Sequence, residues 1–410
     1  MLDGLFVLDL SRVLAGPYCT QLLADLGARV VKVESPRGDD TRGWGPPFVG
    51  PESAYFLSVN RGKESVAVDL KDPRGRDAVG RLAERADVLV ENFKVGDLAR
   101  YGLDYASLAE RNPGLVYASI TGFGQDGPRA PEPGYDAALQ ALTGLMELTG
   151  EEGRPPVKLG VAWIDVLTGA HAATAVLAAL VARGRSGRGA HLDIALFDVA
   201  LASLVNQAQS ALVTGEPPRR LGSAHPSIVP YQAFEAADGA LMIAVGNDVQ
   251  FRRLCEVLEL PELARDARYA SNAGRVRARD ALVPVLAGRV RERPRGAWLA
   301  ALRSAGVPAT PVATLPEALA DPQAVARGLV VQGKHPGVGR LRMVGSPLWH
   351  ASGPDGEPLG LMPEAGSSPV PPRLGEHTRA VLRGDLGMSV AEIDALVGAG
   401  VVRADAALNP

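Results

Sequence analysis

The feature that most constrains the fold of this 410-residue chain is a regular alternation of short apolar strands with helical segments in its N-terminal half. Helical patterns, such as the one from Asp72 to Arg85, begin and end at the residue types that favour helix ends. This alternation predicts an α/β fold with an open, mainly parallel, Rossmann-like sheet that binds ligands at the carboxyl ends of its strands. The predicted strands are Leu5–Leu10, Arg29–Glu34, Ser65–Leu70, Asp87–Glu91 and Gly114–Ile120.

The loops after these strands contain neither a dinucleotide fingerprint nor a Walker loop. No GxGxxG and no GxxxxGK[ST] pattern occurs, so NAD and ATP binding have no motif support. The segment Thr121-Gly-Phe-Gly124 holds two glycines, which allow backbone N–H groups to approach a ligand closely and to support an oxyanion. Gly124 is therefore a candidate substrate contact.

Asp165 stands at the head of a long run of small and aliphatic residues. An unpaired buried carboxylate costs roughly several kcal/mol, so such a group is capping, paired, protonated or used in chemistry. Asp is a favoured N-cap, and the run from Val166 to about Val181 is predicted to form one buried helix that stops at Gly184. The same position would also place a carboxylate at the positive end of a helix in a water-poor pocket, which suits a nucleophile. Both interpretations are compatible with the residues.

The chain is long enough for two domains. Glycine, proline and charged residues mark a linker at 214–224, between a large domain at 1–213 and a small α+β domain at 225–306. Residues 307–410 are predicted to form a return linker and the C-terminal part of the large domain. Their Pro/Gly-rich loops indicate a segment that wraps the large domain rather than a third domain.

Composition disfavours several classes of function. A net charge of -3 and the lack of a Lys/Arg-rich block give no general attraction to nucleic acid. The most apolar run, Val161–Val181, contains Asp165 and His171 and is rich in alanine, so we predict a buried helix and no membrane span. Cys19 and Cys255 are far apart, so neither a disulfide nor a metal site is expected. No basic targeting segment precedes the first strand, and we expect a cytoplasmic protein.

Seven motifs carry a resemblance to a known family. They are Leu8–Thr20, Gly27–Glu34, Gly38–Arg42, Leu57–Ser65, Val90–Phe93, Gly134–Asp136 and Leu374–Thr378. Each is weak alone, but their order and spacing through nearly the whole chain resemble family III CoA-transferases, the CaiB/BaiF group that contains formyl-CoA transferase. Three further stretches are most similar to the succinyl-CoA:glutarate branch, which acts on dicarboxylates. These stretches are Gly43–Gly50, Pro226–Phe234 and Gly246–Asp248.

The resemblance implies that Asp165 is the nucleophile of a CoA-transferase. In the family mechanism, the carboxylate attacks an acyl-CoA thioester to form a mixed anhydride, and CoA returns to give an aspartyl-CoA thioester. An acceptor acid then reverses the sequence. The apolar neighbours Trp163, Ile164 and Val166 fit a site that excludes water. Acyl-CoA and a small carboxylic acid are implied as substrates, and no tightly bound cofactor is implied.

The resemblance also assigns CoA contacts. The matching positions are Val13, Val68, Lys71, Asn92, Phe93 and Arg100. They come from successive strand ends, as expected for an open sheet. For Lys71 and Arg100 the alternative is a solvated surface charge. One phosphate-binding arginine of the family is replaced by Ser35, and Arg37 is a candidate substitute.

Arg61 matches the arginine that helps to hold substrate in the dicarboxylate branch. A planar guanidinium can bind a carboxylate through two hydrogen bonds, which suits the distal end of a diacid. The alternative for Arg61 is an ordinary salt bridge. The resemblance therefore implies transfer of CoA from an acyl-CoA, with succinyl-CoA the expected donor, to a short dicarboxylic acid.

Two other functions were weighed. Racemases of the family for 2-methylacyl-CoA esters place His before the Asp of the Gly-x-Asp motif, where this chain has Tyr135 before Asp136. His171 lies on a different stretch of sequence. A non-catalytic CoA-binding module is a second alternative, but it would not need a carboxylate at Asp165.

The resemblance finally implies an interlocked homodimer. In this family the small domain of one chain lies over the CoA site of its partner. The Leu221–Val229 segment or the Gly246–Asp248 turn would then border a site whose Asp165 belongs to the other chain. Such an interface would exceed the standard area of ~1,600 Å².

Overall fold

The structure is a computed structural model that describes residues 1–357 and 359–404. Its strands are β1 (Phe6–Asp9), β2 (Arg29–Glu34), β3 (Phe48–Val49), β4 (Glu52–Ser53), β5 (Lys63–Val68), β6 (Val88–Glu91), β7 (Val116–Thr121), β8 (Ala190–Ala195), β9 (Tyr231–Ala236), β10 (Gly239–Ala244), β11 (Ala309–Pro311), β12 (Val330–His335), β13 (Gly339–Val344) and β14 (Val402–Arg403). Its helices are α1 (Ala15–Asp25), α2 (Ala54–Ser58), α3 (Pro73–Arg85), α4 (Tyr105–Ala109), α5 (Asp136–Leu142), α6 (Leu145–Leu148), α7 (Trp163–Ser186), α8 (Leu196–Ser203), α9 (Val205–Thr214), α10 (Asp248–Val257), α11 (Pro261–Arg265), α12 (Asn272–Arg277), α13 (Arg279–Val290), α14 (Arg295–Ser304), α15 (Leu315–Leu319), α16 (Pro322–Ala326), α17 (Thr378–Leu386) and α18 (Val390–Gly398).

A seven-stranded sheet confirms the predicted α/β architecture. Its order is β14-β5-β2-β1-β6-β7-β8, and every neighbouring pair is parallel except β14 with β5. Taken in chain order, the six parallel strands are arranged third, second, first, fourth, fifth, sixth, which is the doubly wound Rossmann order. The direction of winding reverses between β1 and β6. The crevice outside the carboxyl ends of these two strands is therefore the expected ligand site.

Helices on both faces explain why the central strands are apolar along their whole length. In β1, Leu8 pairs in register with Val31 of β2 and Leu89 of β6, and all three side chains are buried. Helices α3, α17 and α18 contribute to the core on one face of the sheet. The C-terminal segment thus reaches the large sheet, to which β14 adds the last strand.

Helix α7 is longer than predicted at both ends. It begins at Trp163, passes through Gly184 and ends at Ser186, and the following Gly187 has a φ of 70°, the left-handed conformation typical of a glycine after a helix. Gly169 allows close packing on α1, because a Cβ atom there would lie 2.5 Å from the carbonyl oxygen of Ala15. By length and composition alone α7 could also cross a membrane, a test that core helices of soluble proteins pass as well.

The chain divides into two compact units, which differ from the predicted domains at their borders. The first unit comprises Met1–Thr143, Leu159–Gln209 and the chain from Pro322 onward. The second comprises Gly144–Lys158 and Ser210–Asp321, so it includes a short segment that we had predicted to be part of the large domain. Its core packs helices α10 to α14 on the antiparallel sheet β11-β10-β9.

Several elements depart from the sequence prediction. The residues from Tyr135 to Leu148 have a helical pattern that predicts a single helix, but the observed helix breaks at Gly144, which has a φ of 86°. The pattern from Val199 to Leu212 likewise predicts one helix, and the structure divides this stretch into α8 and α9. The Pro/Gly-rich C-terminal part contains the antiparallel hairpin β12–β13, which the sequence had not indicated.

Candidate active site

Two clefts lie at the carboxyl ends of the parallel strands, around the reversal between β1 and β6. The first has a volume of about 360 Å³ and is lined by Val13, Asn92, Phe93, Asp136 and Asp165, among others. The second has a volume of about 650 Å³ and is lined by Val68, Lys71 and Phe93, together with Ser35 and Arg37. Phe93 and Arg12 line both clefts, so the two are neighbours.

This geometry brings together five of the six positions that match CoA contacts. Val13, Asn92 and Phe93 face the cleft that holds Asp165, and Val68 and Lys71 face the second cleft. Arg100 lines neither cleft and forms an ion pair of 2.7 Å between its Nη2 and Asp97 Oδ1. Asp97 itself lines both clefts, so Arg100 contacts the clefts only through its ion-pair partner.

Asp165 is the third residue of α7, and the cap of this helix comes from elsewhere in the chain. The Oδ2 atom of Asp136 accepts hydrogen bonds from the backbone N–H groups of Ile164, at 2.7 Å, and Asp165, at 3.2 Å. Gln140 holds the other oxygen of Asp136 through a bond of 2.6 Å from Nε2 to Oδ1. Because Asp136 caps the helix, the carboxylate of Asp165 is not needed for capping. The capping interpretation of Asp165 is therefore wrong.

Two glycines bring Asp136 to this place. A Cβ atom on Gly122, just after β7, would lie 2.5 Å from the Cα atom of Gly134. Only residues without side chains allow this backbone contact. It ties the segment that leads into α5 to the end of β7, and so presents Asp136 to the start of α7.

The electrostatic environment makes Asp165 an unusually basic carboxylate. Burial, and the negative charge of Asp136, raise the pKa of Asp165 to about 7. The same carboxylates act on Tyr55 of α2, where burial and the charges of Asp165 and Asp136 raise the pKa of the hydroxyl to about 12. Tyr55 therefore lies close enough to both carboxylates for their charges to act on its hydroxyl, which stays protonated near neutral pH.

The apolar neighbours of Asp165 play different roles. Ile164 is fully buried in the core, whereas Trp163 is 44% exposed. Trp44 lines the same cleft and packs edge-on against Tyr55, with ring centroids 5.2 Å apart. Trp44, which the sequence motifs connect only with a branch of the family, is thus one of the aromatic residues of this cleft, together with Phe93 and Tyr135.

Arg61 does not line either cleft, contrary to the expectation that it binds substrate. Its Nε and Nη2 atoms donate to the two carboxylate oxygens of Asp25 at 2.8 and 2.6 Å. Its Nη1 atom donates to the carbonyl of Val344 at 2.9 Å, and Trp349 covers the guanidinium. The structure therefore supports the alternative role, a buried structural ion pair.

Gly124 does not serve as an oxyanion donor in this geometry. Its N–H group donates to the hydroxyl of Thr121 at 2.9 Å, and Gly124 lines neither cleft. Gly122 and Thr121 line the first cleft instead. His171, considered for acid–base chemistry, lies on α7 with Nδ1 against the carbonyl of Leu167, and it also lines neither cleft.

Sequence analysis missed the roles of Asp136, Tyr55 and Lys94. Asp136 lies in the Gly134–Asp136 motif, which supports the family resemblance and argues against the racemase alternative but assigns no role to Asp136. Lys94 and Arg12 are the cations that line the Asp165 cleft within residues 1–357 and 359–404. Arg12 is held by Asp40 at 3.3 Å, whereas no ion pair holds Lys94 in this part of the chain.

The fold and the two neighbouring clefts define an α/β protein with a candidate site at the reversal point of its sheet, where Asp165 lines one cleft. Comparison with known proteins identifies the class. The model of a family described as CoA-transferase family III matches residues 2–378. The chain therefore belongs to CoA-transferase family III, and it is a CoA-transferase.

Relatives with curated names and solved structures agree with this assignment. Succinyl-CoA:glutarate CoA-transferase of Mus musculus is 44% identical over 402 residues, which cover 98% of this chain and 90% of that protein. Succinate–glutarate CoA-transferase of Agrobacterium fabrum is 49% identical over 337 residues, which cover 80% of this chain and 84% of that protein. A CAIB/BAIF family protein from Brucella suis has a crystal structure that matches with a TM-score of 0.81 at 45% identity, covering 94% of this chain and 99% of that one.

Proposed function

We propose that the enzyme moves CoA from succinyl-CoA to a short dicarboxylic acid through covalent intermediates on Asp165. One observation supports this most directly. A single carboxylate with a pKa raised to about 7 lies in a cleft that adjoins a second cleft lined by Lys71 and Arg37. A basic carboxylate is a better nucleophile than an ordinary one, and cations suit the phosphates of CoA.

The proposed reaction has four steps. The ionised carboxylate of Asp165 attacks the thioester carbonyl of the donor, the C–S bond breaks, and an acyl–aspartyl anhydride and CoA thiolate form. The thiolate attacks the aspartyl carbonyl, which releases the donor acid and leaves an aspartyl-CoA thioester. The acceptor carboxylate attacks this thioester and regenerates an anhydride with free thiolate. Attack of the thiolate on the acceptor's carbonyl then yields the new acyl-CoA and frees Asp165.

The preference for dicarboxylates rests on the names of relatives and on the cations of the cleft. The relatives from mouse and Agrobacterium carry succinate and glutarate in their names. Since Arg61 is engaged by Asp25, we assign the distal carboxylate to Lys94 or Arg12, which line the cleft of Asp165. Lys94 is the stronger candidate because Arg12 already lies beside Asp40.

With succinyl-CoA as donor, we expect transfer to glutarate and other short dicarboxylates with a higher kcat/KM than to monocarboxylates of equal length. The physical reason is that only a diacid gains an ion pair at its distal end, which is worth up to about fivefold in kcat/KM at a partly exposed site. Chromatographic detection of the new acyl-CoA over a panel of acids measures this directly.

The Lys94→Gln variant provides the matched test, with Arg61→Gln as its counterpart. Lys94→Gln should lose the preference for diacids and leave monocarboxylates unaffected. Arg61→Gln should change both kinds of acid alike, because it disturbs the fold rather than the acid site. A wild-type enzyme that transfers CoA equally well to both kinds of acid would contradict the proposed substrate class.

We further propose that the enzyme acts as an interlocked homodimer. Only 33% of the apolar stretch of α7 is buried within the chain, and Val181 on this helix is 66% exposed. Leu201, on the adjoining α8, is 42% exposed. An apolar surface of this kind needs cover, and a second copy of the chain is the cover that the family resemblance implies.

An interlocked dimer should not dissociate on dilution, because its chains separate only when they unfold. Sedimentation velocity should therefore give a mass of two chains from micromolar to nanomolar protein. Activity per milligram should stay constant over the same range. A monomer with full transferase activity at nanomolar concentration would disprove the dimer.

A further inference from the structure

A buried carboxylate that takes no part in the mechanism lies directly behind the Asn92–Phe93 turn. Glu91 is the last residue of β6 and is only 6% exposed. Its Oε2 atom accepts a hydrogen bond of 2.7 Å from the backbone N–H group of Phe93. Within residues 1–357 and 359–404, neither a lysine nor an arginine forms an ion pair with it. A charged group so placed requires an explanation beyond packing.

The Asn92–Phe93 turn, which Glu91 holds in place, also holds the loop after β1. Asn92 exchanges two hydrogen bonds with the backbone of Arg12: its Oδ1 accepts from the N–H at 2.8 Å, and its Nδ2 donates to the carbonyl at 2.7 Å. The next residue, Val13, has a φ of 70°, which is unfavourable for a β-branched side chain. Neighbouring groups must therefore hold Val13 in this conformation, and the two hydrogen bonds between Asn92 and Arg12 are among these restraints. Asn92 and Val13 both line the cleft of Asp165.

Glu91 is connected to the edge of the sheet through two side chains. Ser119 is its register partner on β7, and the Ser119 hydroxyl helps to lower the pKa of the Glu91 carboxyl against the larger effect of burial. The same Oγ lies 2.9 Å from Nε2 of His191 on the edge strand β8. His191 is exposed and stacks on Tyr105, with ring centroids 5.1 Å apart.

We propose that Glu91 is a positioning residue for acyl-CoA binding, which fixes the Asn92–Phe93 turn and, through Asn92, the Arg12–Val13 loop beside Asp165. The proposal rests on the proposed function, since it takes these clefts to be the acyl-CoA site. Glu91 lines neither cleft and acts only through the backbone of its neighbours. Its ionised form holds the Phe93 N–H more strongly than its neutral form, because hydrogen bonds to charged acceptors are roughly twice as strong.

The groups around Glu91 make this restraint sensitive to pH near neutrality. Burial raises the pKa of Glu91 to about 7, against the lowering effect of hydrogen bonds from Ser119 and Phe93, and Asp193 on β8 adds to the rise. Burial and the negative charge of Glu91 raise the pKa of the Tyr117 hydroxyl on β7. Burial lowers the pKa of His191, so the imidazole is neutral when Glu91 is ionised.

The expected result is a pH-dependent affinity for CoA that the Glu91→Gln variant lacks. Titration calorimetry with CoA itself, from about pH 6 to about pH 8.5, should show wild-type Kd rising about fivefold as the pH falls through 7 because of this group. Glu91→Gln mimics the protonated form, so its Kd should be about fivefold higher at the alkaline end and match wild type at the acid end. Asp165 and the CoA phosphate titrate in both proteins, so the difference between the two curves isolates Glu91.

Two further variants keep the test decisive. Glu110→Gln alters an exposed carboxylate in the same unit and should reproduce the wild-type curve. Ser119→Ala removes a hydrogen bond that lowers the pKa of Glu91, so its curve should shift to higher pH. Glu91→Gln should fold well. A carboxyl whose pKa is raised in the folded protein lowers the stability of that protein as the pH rises above the pKa of the unfolded state, and an uncharged amide avoids this loss.

Each outcome bears on a different statement. Equal pH slopes for wild type and Glu91→Gln would overturn the positioning role of Glu91 and leave the proposed function intact. Lack of CoA binding by the wild type at every pH would overturn the proposed function, and the role of Glu91 with it. A uniform loss of affinity in Glu91→Gln at all pH values would show a purely structural effect and would also overturn the proposal.

Discussion

Replacement of Asp165 by asparagine is expected to abolish CoA transfer, with a fall in kcat of about 10⁴-fold or more, while CoA still binds. Asparagine has the shape of aspartate but cannot attack a thioester. The positions matched to CoA contacts lie on other segments, so their cleft should persist. Transfer from succinyl-CoA to glutarate and calorimetric Kd for CoA measure the two effects separately.

Chemical trapping and pH dependence complete this test. Hydroxylamine added to wild type with acyl-CoA should modify Asp165, which mass spectrometry detects, and Asp165→Ala should remain unmodified.

The wild-type kcat should fall as the pH drops through about 7, because the protonated carboxyl cannot attack. Asp77→Asn, an exposed carboxylate on α3, serves as the control. If Asp165→Asn or Asp165→Ala kept more than about a hundredth of the activity, the covalent mechanism would be wrong.

The strands and their parallel arrangement were predictable because each signal is local. Alternation of apolar strands with helices indicates a doubly wound sheet, and β2 agrees with its predicted bounds, Arg29–Glu34. The residues after the strand ends could then be assigned to one edge. The position of Asp165 in a cleft follows from this logic together with the family resemblance. The hairpin β12–β13 was missed because its glycines and prolines resemble those of loops.

The partners of individual side chains were not predictable, since they depend on contacts distant in sequence. Asp136 lies 29 residues before Asp165 and reaches α7 only because Gly122 and Gly134 allow two backbones to meet. Arg61 has the chemistry of a substrate anchor, but Asp25, 36 residues away, takes two of its donor atoms. The residue type determines which interactions a side chain can form, and its tertiary contacts determine which of these interactions it does form.

A second network of distant partners lies under the loop that borders Asp165. Lys63 is buried at the start of β5, and its ammonium donates to Asp9 Oδ2 at 3.0 Å, to the Pro17 carbonyl at 2.8 Å and to Asn60 Oδ1 at 2.9 Å. Burial alone would raise the pKa of Asp9, but Lys63 and Lys32, with hydrogen bonds from two hydroxyls, lower it to about 2. Every proton of the ammonium is thus used inside the protein.

Replacement of Lys63 by methionine is therefore expected to lower the free energy of unfolding by about 3–5 kcal/mol. Methionine fills similar space but leaves the Asp9 carboxylate buried without its nearest cation, and it removes the donor to Asn60 Oδ1, whereas the Pro17 carbonyl still accepts from the Thr20 hydroxyl at 3.2 Å. The double variant Lys63→Met/Asp9→Asn should recover part of this loss, because the uncompensated charge is then gone. Urea denaturation at pH 7 to 8 measures all three proteins.

An exposed ion pair supplies the contrast that tests this reasoning. Arg74 contacts Asp72 at 2.8 Å on the surface, with the arginine side chain 54% exposed, and Arg74→Ala should leave the denaturation midpoint almost unchanged. Burial, rather than the distance between the charges, would then account for the effect at Lys63.

The Lys63 network also joins the sheet to Ser11, whose N–H and hydroxyl both donate to Asp9, so Lys63→Met should weaken CoA binding before the protein unfolds. If Lys63→Met unfolded at the same urea concentration as the wild type, the buried network would have no measurable part in holding this loop.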